Sequence, residues 1–295
     1  MGRLHFLIGG VILYALGVVI AAYAGVALNL EAVLWGQIAV TATQLMTHYA
    51  NDYFDLEVDR FNRTPTHWSG GSRVLVEERL PACTALITAL ALAGIAFAAT
   101  LILSIVIRPG IATFILLLTA QLLAWFYSAP PLRLHSRGIG ELTTAIIVTL
   151  LTPLTGFYLQ VGQVSLLPLI AVVPLCCMQF AMLLVIEFPD AEADRQAGKR
   201  TLVVRLGPSF AARLYVLLLL MAYIELPFLW LLGLPLAVPL AVAALSPLAL
   251  WQIGRMRRGD WQNASRWNTL ALTNIVLLMA TAMAEVAAFT ALILN

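Results

Sequence analysis

The chain has 295 residues, 61% of them hydrophobic and 11% charged, at a mean hydropathy of +0.92. A soluble domain of that size carries about a quarter charged residues, so the composition excludes an ordinary soluble protein and specifies an all-α, polytopic membrane protein. The formal charge of +2 gives no electrostatic footprint for nucleic acid, and no nucleic-acid partner is expected.

A bilayer-crossing helix needs about 20 apolar residues, and nine such runs follow one another: 4–27, 32–51, 81–106, 111–127, 139–160, 166–187, 209–232, 235–254 and 268–291. The first is too long for a signal peptide and lacks a polar cleavage region, so no cleaved leader is expected. The eighth holds Pro235, Pro239 and Pro247, which predict kinks that neighbouring helices tolerate. Cys83, Cys176 and Cys177 all lie inside apolar runs. With no Cys/His spacing typical of zinc, they read as packing or lipid-facing residues. No linker or low-complexity tract interrupts the chain, which reads as a single integral membrane domain over 1–295.

Lysine and arginine set the orientation. With the N-terminus inside, the inside segments hold Arg3; Arg60, Arg63, Arg73 and Arg79; Arg133 and Arg137; Arg195, Lys199, Arg200, Arg205 and Arg213; and Arg255, Arg257, Arg258 and Arg266. That is 16 of the 17 basic residues, leaving Arg108 outside. The expected location is a prokaryotic inner or plasma membrane, with the C-terminus outside. The long polar loops at 52–80, 128–138 and 188–208 then share the cytoplasmic side, where function is expected.

Two of those loops open on acids. Asp52, Asp55 and Asp59 stand at i, i+3 and i+7, the spacing of one helix face. Glu187, Asp190 and Asp194 repeat it at the end of another apolar run. Carboxylates gathered at a membrane edge repel one another unless a cation lies between them. A hard cation such as Mg²⁺ takes one or two carboxylates and completes its shell with phosphate oxygens and water. Two facing clusters can therefore hold a metal each and clamp a diphosphate. Arg60 and Arg63 behind the first cluster, and Arg195, Lys199 and Arg200 behind the second, suit phosphate oxygens. Lys199 is the only lysine in the chain. Arg205 and Arg213 read as topological anchors. His48 lies one turn before Asp52, either touching the site or packed. His5, His67 and His135 read as interfacial, and Trp35, Trp230, Trp251, Trp261 and Trp267 as belt anchors. Glu225 and Glu285 are isolated acids with no evident partner.

The pattern Asn51-Asp52-x-x-Asp55-x-x-x-Asp59 resembles the first aspartate motif of the UbiA superfamily of intramembrane prenyltransferases. Asp190-x-x-x-Asp194, with GKRT at 198–201 and VRLG at 204–207, resembles its second. YSAPPLRL at 127–134 followed by GIGE at 138–141 is similar to the loop between the family's fourth and fifth spans. The resemblance covers essentially the whole chain. It implies nine helices around a central cavity with a polar cytoplasmic cap, and two Mg²⁺ ions holding the diphosphate of a polyprenyl donor. By the same resemblance Asn51, Asp52, Asp55 and Asp59 form one metal site and Asp190 and Asp194 the other. Arg63 and Lys199 would hold the diphosphate, with Arg60 and Arg133 close by. Tyr127 would face the acceptor or the developing carbocation with its π-face, or serve as an interfacial anchor. Pro131 and Glu187 depart from the pattern of some branches, whereas GGSRVL at 70–75 and EFPD at 187–190 look closest to the dihydroxynaphthoate branch, which makes menaquinone precursors.

The reaction so implied is loss of diphosphate from an allylic carbon, followed by attack of an electron-rich aromatic ring in a dry cavity. The acceptor is expected to be 1,4-dihydroxy-2-naphthoate, otherwise 4-hydroxybenzoate or a related ring. Donor length and oligomeric state are left open. A CDP-alcohol phosphotransferase would need a long D-G-x-x-A-R…G-x-x-x-D-x-x-x-D motif, which is absent. A secondary transporter would place its acids near the bilayer middle.

Overall fold

The computed structural model describes residues 1, 2 and 4–295, with Leu4 and His5 described by backbone alone. The inside placement of Arg3 and the interfacial reading of His5 fall outside the described residues.

Helices dominate because a chain crossing hydrocarbon must satisfy each backbone polar group within its own segment. Among the described residues, eight helical stretches are long and apolar enough to cross a membrane: Phe6–Tyr23, Ala82–Ile107, Ile111–Ser128, Gly140–Val161, Leu166–Glu187, Pro208–Leu231, Ala237–Arg257 and Ala264–Leu294. The sequence predicts nine. The difference is Leu30–Phe54, which at 25 residues is long enough but less apolar. Its polar residues are not scattered: Thr43, Gln44, Thr47, His48 and Asn51 line a cavity inside the bundle. This helix gives up hydropathy to furnish the interior wall.

Local chemistry sets the breaks. Asn29 accepts the Ala32 N–H at 3.1 Å and starts the helix Leu30–Phe54. In the proline-rich eighth span, Ala237–Ala243 gives way to Ser246–Arg257, with Pro247 in the first turn of the second piece. The first helix lies backbone against backbone on the fifth span. A Cβ on Gly17 would fall 1.8 Å from the Pro153 carbonyl oxygen, and one on Gly156 would fall 2.4 Å from that of Tyr14. Large apolar side chains such as Ile105, Ile111, Phe228 and Leu231 point outward, as lipid-facing residues do.

The two ends of the bundle differ. At one, Arg108 donates to the carbonyls of Leu159 and Gln160, while Gln160 Oε1 accepts the Asn29 N–H at 2.8 Å. At the other end lie all three long polar loops. Arg255 and Arg266 there bracket Asp260 at 2.7 and 2.5 Å, and Trp261, expected at a membrane belt, stacks on Phe188 beside the second acidic motif.

Candidate active site

Both acidic motifs fold the same way, which their matched spacing encodes. The long helix Leu30–Phe54 stops at Asp55 (φ −96°, ψ 3°), and a short helix, Leu56–Phe61, carries Asp59. Val173–Glu187 likewise stops before Phe188, and Ala191–Gln196 carries Asp194. The expectation of one continuous helical face is therefore corrected to a helix, a break and a short second helix. The break turns Asp55 and Asp190 inward where the two motifs meet.

They meet around a polar pocket of about 130 Å³ lined by Asn51, Asp55, Asp59, Asp190, Asp194 and Lys199. Lys199 stands between the motifs, its Nζ 2.9 Å from Asp55 Oδ2 and 3.8 Å from Asp194 Oδ1. Asn51 Nδ2 donates to Asp55 Oδ2 at 3.1 Å and to Ser128 Oγ at 3.0 Å. Asp190 is held by Asn62 Nδ2 at 2.7 Å and by the Gly70 N–H at 3.0 Å. Asp52 is buried but is not part of the pocket wall; its Oδ1 accepts the Ser72 N–H at 3.1 Å.

The electrostatics show too much negative charge for one lysine. Burial opposes charge on Asp55, but Lys199 and His135 beside it hold the carboxyl well below the usual carboxylate range. Asp59 is pushed up to about 8, by burial first and then by Asp55. Asp194 is pushed up to about 7, again by burial first, with Asp190 and Asp55 adding to it. Burial acts against the Lys199 ammonium, yet Asp55 and Asp194 hold it well above the usual lysine value. Nearby, the buried Glu141 accepts the Leu202 N–H at 2.8 Å through Oε1, while the Oε2 atoms of Glu141 and Glu187 have no donor. Hard oxygen donors, two carboxyls that resist ionising, and unsatisfied carboxylate oxygens together fit divalent cations of the Mg²⁺ type. Among the described residues no three acidic, histidine or cysteine side chains already converge as a ligand set. Lys199 sits between the acids instead.

Other expected residues are not brought to the pocket. Arg60 turns outward and pairs with Glu57 at 2.8 Å, and Arg63 and Arg133 are exposed. Tyr127 is on the pocket wall and also on that of a second, mostly apolar cavity of about 270 Å³ in the bundle. Asn51, Trp68, Leu183 and Ile186 are likewise common to both walls, so the two spaces adjoin. His48 lines the apolar cavity.

Three participants escape a reading of the sequence. His135, expected at the interface, is 2% exposed and its Nε2 lies 2.6 Å from Asp55 Oδ1. Arg73 donates to the Asp59 carbonyl at 2.6 Å. Gly71 (φ +70°) leaves room for Asp59, whose Oδ2 would be 1.9 Å from any Cβ there. The GGSR stretch at 70–73 was the available signal for the last two. His135 carries no spacing signal at all.

Comparison with known proteins gives the family and agrees with the fold. Residues 10–279 match the model of the UbiA prenyltransferase family. The mouse UbiA prenyltransferase domain-containing protein 1 (Mus musculus) is 35% identical over 86 residues, 29% of this chain, and the match spans about a quarter (26%) of that relative's length. The 1,4-dihydroxy-2-naphthoate octaprenyltransferase of Mycobacterium leprae is 26% identical over 247 residues, covering 80% of this chain and 81% of that one. In fold, a UbiA homolog from Archaeoglobus fulgidus bound to GPP and Mg²⁺ superposes with a TM-score of 0.64 at 17% identity, over the full length of both chains. With most of its length matched by the family model, the chain belongs to the UbiA prenyltransferase family.

Proposed function

We propose that the chain transfers a polyprenyl group from a prenyl diphosphate to an aromatic acceptor, 1,4-dihydroxy-2-naphthoate in preference to 4-hydroxybenzoate, in quinone biosynthesis. The observation that carries this reading is an acid-lined pocket, holding one lysine, that adjoins an apolar cavity across Tyr127. A diphosphate and its apolar tail need those two environments side by side. The solved homolog bound to GPP and Mg²⁺ supports the donor, and the Mycobacterium leprae relative supports the naphthoate acceptor. The family match leaves the CDP-alcohol phosphotransferase and transporter readings without support.

In this reading Asn51, Asp55 and Asp59 hold one metal and Asp190 and Asp194 a second, while Asp52 secures the loop at Ser72. Bound Mg²⁺ supplies the positive charge against which diphosphate leaves. Lys199 adds a donor to the diphosphate oxygens. The exposed Arg60, Arg63 and Arg133 draw the anion toward the pocket from the rim. As the allylic C–O bond breaks, its electron pair stays with the diphosphate. The Tyr127 ring faces the electron-poor carbon, and the apolar cavity keeps water from it. An aromatic ring carbon forms the new C–C bond and loses a proton, or its carboxylate as CO₂. In this reading the pocket faces the cytoplasm, the side to which the Lys/Arg distribution assigns the three polar loops.

The first test offers geranylgeranyl or a longer prenyl diphosphate with Mg²⁺ to purified protein, with dihydroxynaphthoate, hydroxybenzoate, homogentisate or a glycerol-type acceptor in separate reactions. A Mg²⁺-dependent lipid product with dihydroxynaphthoate is expected. A product only with another acceptor overturns the naphthoate assignment. Full turnover by folded Asp55→Ala or Asp190→Ala overturns the metal clamp.

A further inference from the structure

Among the described residues His135 is the one buried histidine, at 2% exposure, and it is buried against the acid on which the first motif turns. Asp55 is fully engaged: Oδ1 meets His135 Nε2 at 2.6 Å, while Oδ2 meets Lys199 Nζ at 2.9 Å and Asn51 Nδ2 at 3.1 Å. Those partners differ in kind. Lys199 is on a flexible stem and Asn51 is a neutral amide, and a bound cation can displace both from Oδ2. The imidazole cannot leave so readily. It sits on a tight turn, Leu134–Arg137, bounded by two left-handed residues, Arg133 (φ +43°) and Gly138 (φ +70°). A Cβ on Gly140 would come within 2.8 Å of the His135 Cα, so the backbone behind the ring is closely backed. The Tyr127 ring lies 5.3 Å away, centroid to centroid. The next residue ties the turn to the second motif, since the Arg200 N–H donates to the Ser136 carbonyl at 3.1 Å.

We propose that His135 is a positioning residue that fixes Oδ1 of Asp55, so that Oδ2 is the oxygen presented to the metal. Through Ser136 the same turn keeps Asp55 in register with the strand of chain that carries Lys199. This inference rests on the metal-clamp reading above. Partners that orient a ligating carboxylate in this way are usually worth 10- to 100-fold in metal affinity.

The test compares wild type with His135→Phe, His135→Asn and His135→Gln, each checked for folding by its Tm in detergent. Mn²⁺ is titrated by electron paramagnetic resonance without substrate, and turnover is followed at rising Mg²⁺. His135→Phe fills the space without a donor, and His135→Asn has an amide too short to reach Asp55. Both should bind Mn²⁺ about 10- to 100-fold more weakly and regain turnover as Mg²⁺ is raised. His135→Gln, which keeps a donor with more reach, should recover part of the affinity. Wild-type Mn²⁺ affinity in folded His135→Phe or His135→Asn overturns the proposal. So does a loss of turnover in all three variants that added Mg²⁺ does not relieve. Normal Mn²⁺ binding by a wild type that transfers no prenyl group would count against the proposed reaction and leave the His135 comparison standing.

Discussion

Replacing Lys199 by methionine keeps a chain of similar length and removes its charge from between the motifs. In the metal-free protein this leaves Asp55 without its ammonium partner at 2.9 Å and Asp194 without the one at 3.8 Å. The Lys199 side chain is 15% exposed and that of Asp55 5%, so water screens the pair little. Removing one member of a buried pair costs about 3–5 kcal/mol, because the remaining charge is stranded. Lys199→Met should therefore melt well below wild type in EDTA. Magnesium should close most of that gap, since a cation and Lys199 compete for the same Asp55 oxygen. For the same reason, Mn²⁺ without substrate should bind the variant more tightly, by about tenfold for 1.4 kcal/mol of relieved competition. Prenyl diphosphate should bind more weakly, because the only lysine donor is gone. The assays are melting curves in EDTA and in Mg²⁺, a Mn²⁺ titration, and KM for the donor. Equal melting in EDTA, or metal and diphosphate affinity falling together, would refute the reasoning.

The other expectations follow from the same pocket. Asp59 and Asp194, at about 8 and about 7, hold protons in the folded metal-free protein that the unfolded chain releases near pH 4. Their contribution to stability is full below the unfolded value and is lost as pH rises through the folded ones. The depressed groups act elsewhere: Asp55 below the normal carboxylate range, and His135, lowered by burial, below about pH 6.5. In EDTA the Tm should therefore fall between pH 6.5 and 8, and saturating Mg²⁺ should flatten that slope; an unchanged slope counts against the acids as ligands. Gly71→Ala, with its Cβ 1.9 Å from Asp59 Oδ2 at φ +70°, should abolish turnover. Gly198→Ala, at φ +74° with open space around it, should cost only about 1 kcal/mol of backbone strain, read as a small drop in Tm. Asp260→Asn breaks the Arg255–Asp260–Arg266 cluster and should lower Tm while leaving donor KM unchanged. Arg60→Ala should change the salt dependence of KM more than KM at high salt, because the side chain is exposed and paired with Glu57.

What the sequence reveals and what it hides divide along a physical line. Hydropathy is a property of single residues summed over a window, so the lipid-facing spans and their proline kinks are legible. The same sum underrates Leu30–Phe54, whose polar residues face a cavity rather than lipid. Matched spacings of acids encode matched local geometry, and both motifs do fold as helix, break and short helix. Contacts between loops obey no such rule. Arg60 and Arg63 follow the first motif closely in sequence, yet a short helix puts Arg60 on its outer side and leaves Arg63 exposed beyond it. Lys199 is 144 residues from Asp55 and His135 is 80, yet these two are the partners that fix its charge. Proximity in the chain therefore overpredicts which arginines line the pocket, and distance conceals the histidine. Asp55 is where three separate loops become one site: its own loop supplies the carboxylate, the second motif supplies Lys199, and the 134–137 turn supplies His135. Substitutions at these three positions should accordingly be non-additive, with the double variant of Lys199 and His135 losing less Mn²⁺ affinity or gaining less than the single changes sum to. Strict additivity in that cycle would mean the three loops meet at Asp55 without acting through it.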